Sequence, residues 1–258
     1  MEIRINLKKS LEQNASDYFE KGKKAKAKIE GINKTIALYK EKLAKVEKEQ
    51  VQIEEESKKE KRNPAWYEKF RWFKTSEGFL VVGGRDAGSN ELIIKKHMEK
   101  KDLVFHTEAA GSPFFLIKVE GKEKPSERSI QEVADATYIF SKSFKAGVGG
   151  VNSFWVTPEQ ISLTPPTGEY LEKGSFIVNG KKNLIPPRFN LAIGLTEDGA
   201  VMCAPTSVVK KHCKVFVELQ QSRGEKPSDV AKIIRKKIGG ELDDIIRALP
   251  AGNIGIKK

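Results

Sequence analysis

Apolar and small side chains recur along the first sixty residues in steps of four and three. They fall at Leu11, Ala15, Tyr18, Gly22, Ala25, Ile29, Ile32, Ile36, Tyr39, Leu43 and Val46, then at polar Gln50 and at Ile53. That alternation is the a/d seam of a heptad repeat and predicts one long helix with a single apolar edge. Ser10 and Gln13 have the spacing of a capping box at its start. Pro64 ends it, because the residue before a proline is pushed away from helical geometry. At ~1.5 Å per residue the rod is on the order of 75 Å long. The seam is thin at Ala15, Gly22 and Ala25 and strong from Ile29 to Val46. Such a stripe is not stable bare in water. No second segment of matching length and period occurs in the sequence, so its mate is expected from another copy or another polypeptide.

Past Pro64 the period changes. Phe79-Leu80-Val81-Val82, Leu103-Val104-Phe105-His106, Phe114 to Lys118, Phe154-Trp155-Val156 and Ser175 to Val178 read as strands. Glu91-Leu92-Ile93-Ile94-Lys95 reads as the hairpin partner of the first of these, joined to it by a loop from Arg85 to Asn90. Ser126 to Phe144 reads as one helix, capped by Ser126, with Ile130, Val133, Ala134, Thr137, Phe140 and Phe144 on one face. Pro165-Pro166 and Gly168 mark a loop, and Asn179-Gly180 is a type I′ turn signal. Val215 to Leu219 reads as a strand, and Ser228 to Ile238 and Glu241 to Leu249 as two short helices. The pattern predicts an α/β protein in three parts: a coiled-coil helix over 1–62, a mixed-sheet domain over 63–194, and a small α/β unit over 195–258.

Charge narrows the partners. Lysine and arginine number 47 against 35 acidic residues, a net charge of +12, and the pI is about 9.5. Such a surplus favours polyanions, since each neutralised phosphate releases counterions. Nucleic acid is the first candidate. A membrane partner is not expected, because no apolar run approaches the ~20 residues that span a bilayer, and the opening residues carry charges throughout. Two cysteines, Cys203 and Cys213, predict a reduced, cytoplasmic protein rather than a disulfide scaffold.

Several motifs admit two readings. In Gly83-Gly84-Arg85-Asp86-Ala87-Gly88-Ser89-Asn90, backbone N–H groups and Arg85 could cradle a phosphate. Alternatively it is a hairpin loop with Asp86 capping the turn and pairing with Arg85. Gly180-Lys181-Lys182-Asn183 lacks the spacing and the hydroxyl residue of a P-loop; its lysines read as phosphate contacts or as solubilising charges. The run from Trp66 to Lys74 could stack on bases; the reading favoured here is core, with Phe70 and Phe73 anchoring the helix end onto the sheet. His106 and Ser112 lack an orienting partner for nucleophilic chemistry, and His106 reads as structural. Adjacent His212 and Cys213, with Cys203, do not make a zinc set. No cofactor fingerprint is present, and the chain is not expected to be an enzyme.

The segment Tyr67-Glu68-Lys69-Phe70-Arg71-Trp72-Phe73, followed by Gly83 to Asp86 and Asn90-Glu91, resembles the NFACT-R domain. The likeness continues in family order at Asp102 to His106, Gly111-Ser112-Pro113, Thr164 to Tyr170 (TPPTGEY) and Gly174 to Pro187 (GSFIVNGKKNLIPP), covering roughly 64–194. Lys8 to Phe19 is similar to the start of the second helix of the family's middle coiled coil, and Ala248 to Gly252 is similar to the tail of archaeal members. The family's NFACT-N domain, which carries its Asp-Arg tailing motif, is not represented; Arg85-Asp86 belongs to a different domain. The chain is accordingly expected to be half of a split protein, a stand-alone relative or an excised piece.

The resemblance implies ribosome-associated quality control: an arm reaching across the large ribosomal subunit, and a basic body meeting rRNA or tRNA. Charge and family motif together select Arg71, Arg85, Lys95, Lys96, Lys173, Lys181, Lys182 and Arg188 as RNA contacts. The rival reading is a protein–protein adaptor whose coil pairs with a separate NFACT-N chain.

Overall fold

The computed structural model describes residues 4–57, 63–121, 123–164, 171–222, 226–252 and 254–257, with no side-chain description for residue 41 or for 44–57. It divides into two units, 1–63 and 64–258.

In the first unit, helix α1 runs from Leu11 to Ser57. The capping box forms as the spacing predicts: Gln13 N donates to Ser10 Oγ at 3.2 Å, and Ser10 N donates to Gln13 Oε1 at 3.1 Å. Asn14 is buried and ties down the preceding segment, accepting from Asn6 N at 2.8 Å and donating to the Asn6 and Ser10 carbonyls at 3.0 Å each. The Tyr18 hydroxyl closes the same segment onto the helix by donating to the Arg4 carbonyl at 2.7 Å. Within this unit the heptad edge is open. Ile29 is 59% exposed, Ile32 48%, Ile36 47%, Tyr39 62% and Leu43 62%. The seam positions Val46, Gln50 and Ile53 lie outside the described side chains.

The second unit holds two larger sheets. The six-stranded sheet contains β1 (Arg71–Lys74), β2 (Leu80–Gly83), β3 (Leu103–Thr107), β4 (Phe115–Ile117), β5 (Ser153–Val156) and β8 (Asn183–Ile185), in the order β1-β2-β4-β3-β5-β8. Two-residue strands β6 (Ile161–Ser162) and β7 (Ile177–Val178) pair with each other. The four-stranded sheet contains β9 (Leu191–Thr196), β10 (Val201–Ala204), β11 (Cys213–Gln221) and β12 (Ile254–Ile256), in the order β10-β9-β11-β12. Both sheets pair antiparallel throughout the described residues. Helices α2 (Ala87–His97), α3 (Glu127–Ile139), α4 (Lys142–Ala146), α5 (Thr206–His212), α6 (Pro227–Ile238) and α7 (Leu242–Ala248) complete it. The α/β class holds.

Alternation along the strands divides the core. Val82, Val104 and Leu116 point to one face of the six-stranded sheet, where they pack with Ile93 and Ile94 of α2 and with Phe154. Val81, Phe105, Phe115 and Ile117 point to the other face, where they meet Val133 and Ala136 of α3 and Ala192, Met202 and Ala204 of the second sheet. Leu191, Ile193, Val201 and Cys203 face away from that junction and pack on Val230, Ile234 and Ile238 of α6 and Ile245 of α7. The division expected between 194 and 195 therefore falls inside β9, whose Ala192 shares a core with the first sheet. A strand buried on both faces cannot be parted between two units.

Three local expectations change. Glu91 to Lys95 is not a strand: it lies in α2, opened by a capping box in which Asp86 Oδ1 accepts from Ser89 N at 2.8 Å and Ser89 Oγ accepts from Asp86 N at 2.9 Å. The helix read over Ser126 to Phe144 breaks at Phe140; Ser126 caps α3 as anticipated, and Ser141 restarts the chain as the cap of α4. Asn179-Gly180 does turn the chain, but between different sheets, since β7 pairs with β6 and β8 with β5. The Pro165-Pro166 and Gly168 loop lies outside the described residues. The hairpin β9–β10, helix α5 and strand β12 have no counterpart in the sequence reading.

Gly83 is required by packing, because a Cβ there would stand 2.1 Å from the buried Phe115 ring. Gly83→Ala is expected to cost roughly 1–3 kcal/mol of stability through overpacking, read as a lower denaturation midpoint with unchanged slope in urea unfolding.

Candidate nucleic-acid interface

The Gly83–Asn90 segment is a strand-to-helix corner whose polar groups are engaged internally. Gly84 N donates to the Phe114 carbonyl at 3.0 Å, and Arg85 N donates to Ser89 Oγ at 2.8 Å. Asn90 Oδ1 accepts from Phe114 N at 3.1 Å. Arg85 folds inward: Nε donates to the Lys69 carbonyl at 3.1 Å, Nη2 to the Phe70 carbonyl at 2.9 Å and Nη1 to the Arg247 carbonyl at 2.5 Å. It clamps the β1 approach to the end of α7. Asp86 caps a helix instead of pairing with Arg85 across a hairpin loop. These bonds, with those of the α2 cap, engage the N–H groups of Gly84, Arg85, Asp86, Ser89 and Asn90 within the fold instead of leaving them for a phosphate.

Arg71 is also turned inward. Its guanidinium lies 4.2 Å from the centroid of the Phe140 ring, and its Nη1 is buried. Burial and the neighbouring Arg85 push its pKa down to about 10. Arg188 is exposed, and its backbone N donates to the buried Asp135 carboxylate at 2.8 Å. That contact belongs to α3, on the opposite face of the six-stranded sheet from α2.

The other five predicted residues are exposed and attach to the α2 side of that sheet. Lys95 and Lys96 occupy the last turn of α2, where cations also complement the helix dipole; Lys95 pairs with Glu91 at 2.6 Å. Lys173 stands beside the helix start. Gly174 (φ 77°) presses so closely on α2 that a Cβ would meet the Ala87 carbonyl oxygen at 2.3 Å, and the Lys173 charge helps the Ser89 hydrogen bonds hold Asp86 below the usual carboxylate range. Lys181 and Lys182 sit in the bend before β8. Gln160 shapes that bend by donating to the Asn179 and Lys181 carbonyls at 2.8 and 3.0 Å. Lys182 Nζ lies 4.8 Å from the centroid of Phe154, a member of the α2-side core.

His106 lies on this face between the Phe114 ring, at 4.4 Å, and the Phe154 ring, at 6.0 Å. Its Nδ1 is 2.7 Å from the Thr107 carbonyl, while Ser112 Oγ accepts from Thr107 N at 3.0 Å. Both side chains serve the β3 end, and burial lowers the histidine pKa. Cys203 and Cys213 are buried thiols with pKa values pushed up to about 12 and about 11, chiefly by desolvation. His212 Nε2 is 2.9 Å from the Thr75 carbonyl. Among the described residues no group of three or more His, Cys, Asp or Glu side chains is arranged to hold a metal ion. No helix among them is long and apolar enough to cross a membrane.

The sequence does not single out His97, at the end of α2, and places Lys69 only within the run from Trp66 to Lys74. His97 stacks on Trp66 with ring centroids 4.4 Å apart and planes at 14°. Only the helical state of 87–97 puts those rings together, so a strand assignment hides the pair.

Residues 69–180 match the family model described as NFACT protein RNA binding domain. Over 218 residues, 82% of this chain, the sequence is 38% identical to the archaeal Rqc2 homolog aRqcH of Methanocaldococcus jannaschii, of which it covers 32%. It is 44% identical over 131 residues to the ribosome quality control complex subunit NEMF homolog of Drosophila melanogaster, covering 51% of this chain and 13% of that protein. It is 33% identical over 180 residues to the ribosome quality control complex subunit NEMF of Mus musculus, covering 68% and 17%. The chain thus spans about a third or less of the length of these relatives. The matched stretch contains the β2–α2 corner, the α2 lysines and the Lys173 turn described above, and the chain belongs to the NFACT family through its NFACT-R domain.

Proposed function

We propose that this chain is an RNA- and ribosome-binding module of a ribosome-associated quality control factor, meeting the large ribosomal subunit through rRNA or a tRNA held there. One observation carries the reading: Lys95, Lys96 and Lys173 are exposed within residues 69–180, which match an RNA-binding family model, and Lys181 and Lys182, just past that stretch, are exposed as well. Lysine ammonium groups spaced over a rigid sheet-and-helix surface suit phosphate contact, which positions a nucleic acid without reading its sequence. Lys182 is held over an aromatic ring, so little of its side-chain freedom is left to lose on binding. Arg188 contributes a separate basic point on the α3 side. Arg71 and Arg85 support the fold in this reading. The names of the relatives favour a ribosomal setting.

A second element of the proposal concerns α1. Its exposed row of Ile29, Ile32, Ile36, Tyr39 and Leu43 fits a coiled-coil mate, supplied by a separate NFACT-N chain or by a second copy. This is the adaptor reading in a form compatible with RNA binding.

Two outcomes follow. Titration of the full chain with RNA is expected to give an affinity that falls linearly with salt on a log–log scale; Lys181→Ala with Lys182→Ala should flatten that slope by about 0.7 for each lost contact to a single strand. A salt-independent affinity, or a failure to co-sediment with large ribosomal subunits in low-salt buffer, would count against the proposal. Analytical ultracentrifugation should show self-association, or association with an added NFACT-N chain, that Ile32→Asp with Ile36→Asp abolishes. A monomer indifferent to both would remove the coiled-coil part.

A further inference from the structure

Trp66 stands apart from the aromatic residues around it. Phe70 and Phe73 are 2% and 1% exposed and belong to the core, as the sequence reading favours, whereas Trp66 keeps 43% of its surface open. It is nonetheless held in place. His97 stacks on its ring system, and the Tyr67 and Phe70 rings meet it edge-on at 5.8 and 6.4 Å with planes at 80° and 75°. A singly exposed aromatic is ordinary at a protein surface; this indole differs in being fixed by three neighbouring rings. The same rigidity removes the entropy cost of ordering it for a flat ligand.

The surroundings indicate the ligand's charge. Lys69 Nζ lies 5.0 Å from the centroid of the Phe70 ring, and Lys69 and Lys96 are both exposed. Both act on His97: burial lowers the histidine pKa first, and the charges of Lys69, Lys118 and Lys96 lower it further. Lys118 is buried and paired with Asp102 at 2.6 Å, so Lys69 and Lys96 are the cations presented to solvent here. The arrangement is an open aromatic surface with cations beside it, the combination by which proteins hold an unpaired base together with its flanking phosphates. The nearby carboxylates are engaged, Glu99 and Asp102 with Lys118 at 3.2 and 2.6 Å and Glu68 with the Ala65 N–H at 2.7 Å, whereas Lys69 and Lys96 are exposed, which favours an anionic ligand.

We infer that Trp66, backed by His97 and flanked by Lys69 and Lys96, is a stacking platform for one unpaired nucleobase of the RNA that the lysine-rich face binds. The inference rests on the RNA-binding proposal and adds a preference: single-stranded or looped RNA engages this corner, and continuous duplex does not, because bases inside a helix present no free face.

The test uses the full chain with a short single-stranded RNA and an RNA duplex of equal phosphate count, each titrated at several salt concentrations. Trp66→Ala should weaken single-strand binding about 5- to 150-fold, the equivalent of about 1–3 kcal/mol of base stacking. Its salt slope and its duplex affinity should stay unchanged, and Trp66→Phe should retain most of the binding. His97→Ala should give a smaller loss of the same kind, which keeps the test decisive if the indole deletion disturbs folding in thermal melts. Equal losses on single strand and duplex, or no loss on either while wild type binds normally, would overturn the platform and leave the lysine face standing. Wild-type chain that binds neither RNA would sink both proposals. Loss of ribosome co-sedimentation in Trp66→Ala, with free RNA affinity intact, would assign the indole to a protein contact and overturn the inference.

Discussion

The six-stranded sheet is apolar on both faces, and the rest of the second unit follows from that constraint. Val82, Val104 and Leu116 on one side, and Val81, Phe105, Phe115 and Ile117 on the other, are all at most 1% exposed. At roughly 25 cal/mol per Å² of apolar surface removed from water, neither face can be left open. One is covered by α2. The other is covered by α3 together with a second sheet that is itself covered by α6 and α7. The second sheet, with α6 and α7 on its far side, thus closes a core that the six-stranded sheet builds and does not stand as an appendix.

Covering the first face with a helix determines where charge can gather. Helix α2 places Ile93 and Ile94 against the sheet, so Lys95 and Lys96 emerge into solvent one step further on, and its last turn brings His97 to Trp66. The turn before β7 docks Lys173 at the other end of the same helix, and Gln160 holds the Lys181-Lys182 bend beside β5. Rigid elements therefore set the positions of all five lysines, even though most of the charges themselves lie in loops or at helix ends. The two arginines differ because their long planar heads found backbone carbonyls and an aromatic ring inside the unit, where a lysine could not make the same fork of bonds.

Much of this was legible beforehand, for identifiable reasons. The heptad steps from Leu11 to Leu43 and the Ser10–Gln13 box are local, periodic signals, and both appear as read. Strands around Val81, Phe105, Leu116 and Phe154 are short runs of branched and aromatic residues that behave alike in almost any context. Glu91 to Lys95 misled because Leu-Ile-Ile is equally good as a buried strand or as one buried turn of helix; the deciding signal was the modest Asp86–Ser89 cap. The β9–β10 hairpin was missed because Ala192, Gly194, Met202 and Cys203 are weak strand formers that become strand only by pairing with each other and with β11.

The sequence alone determined the long helix with its apolar edge, the α/β class, the basic balance and the family motifs, since each is written in neighbouring residues or in simple sums. Tertiary structure decided which basic residues face water. Arg71 and Arg85 are as cationic in sequence as Lys182, and it is contacts with Phe140 and Arg247, from elements far along the chain, together with the Phe70 carbonyl, that turned them inward. Exposure is a property of packing between distant segments, and a one-dimensional pattern does not carry it.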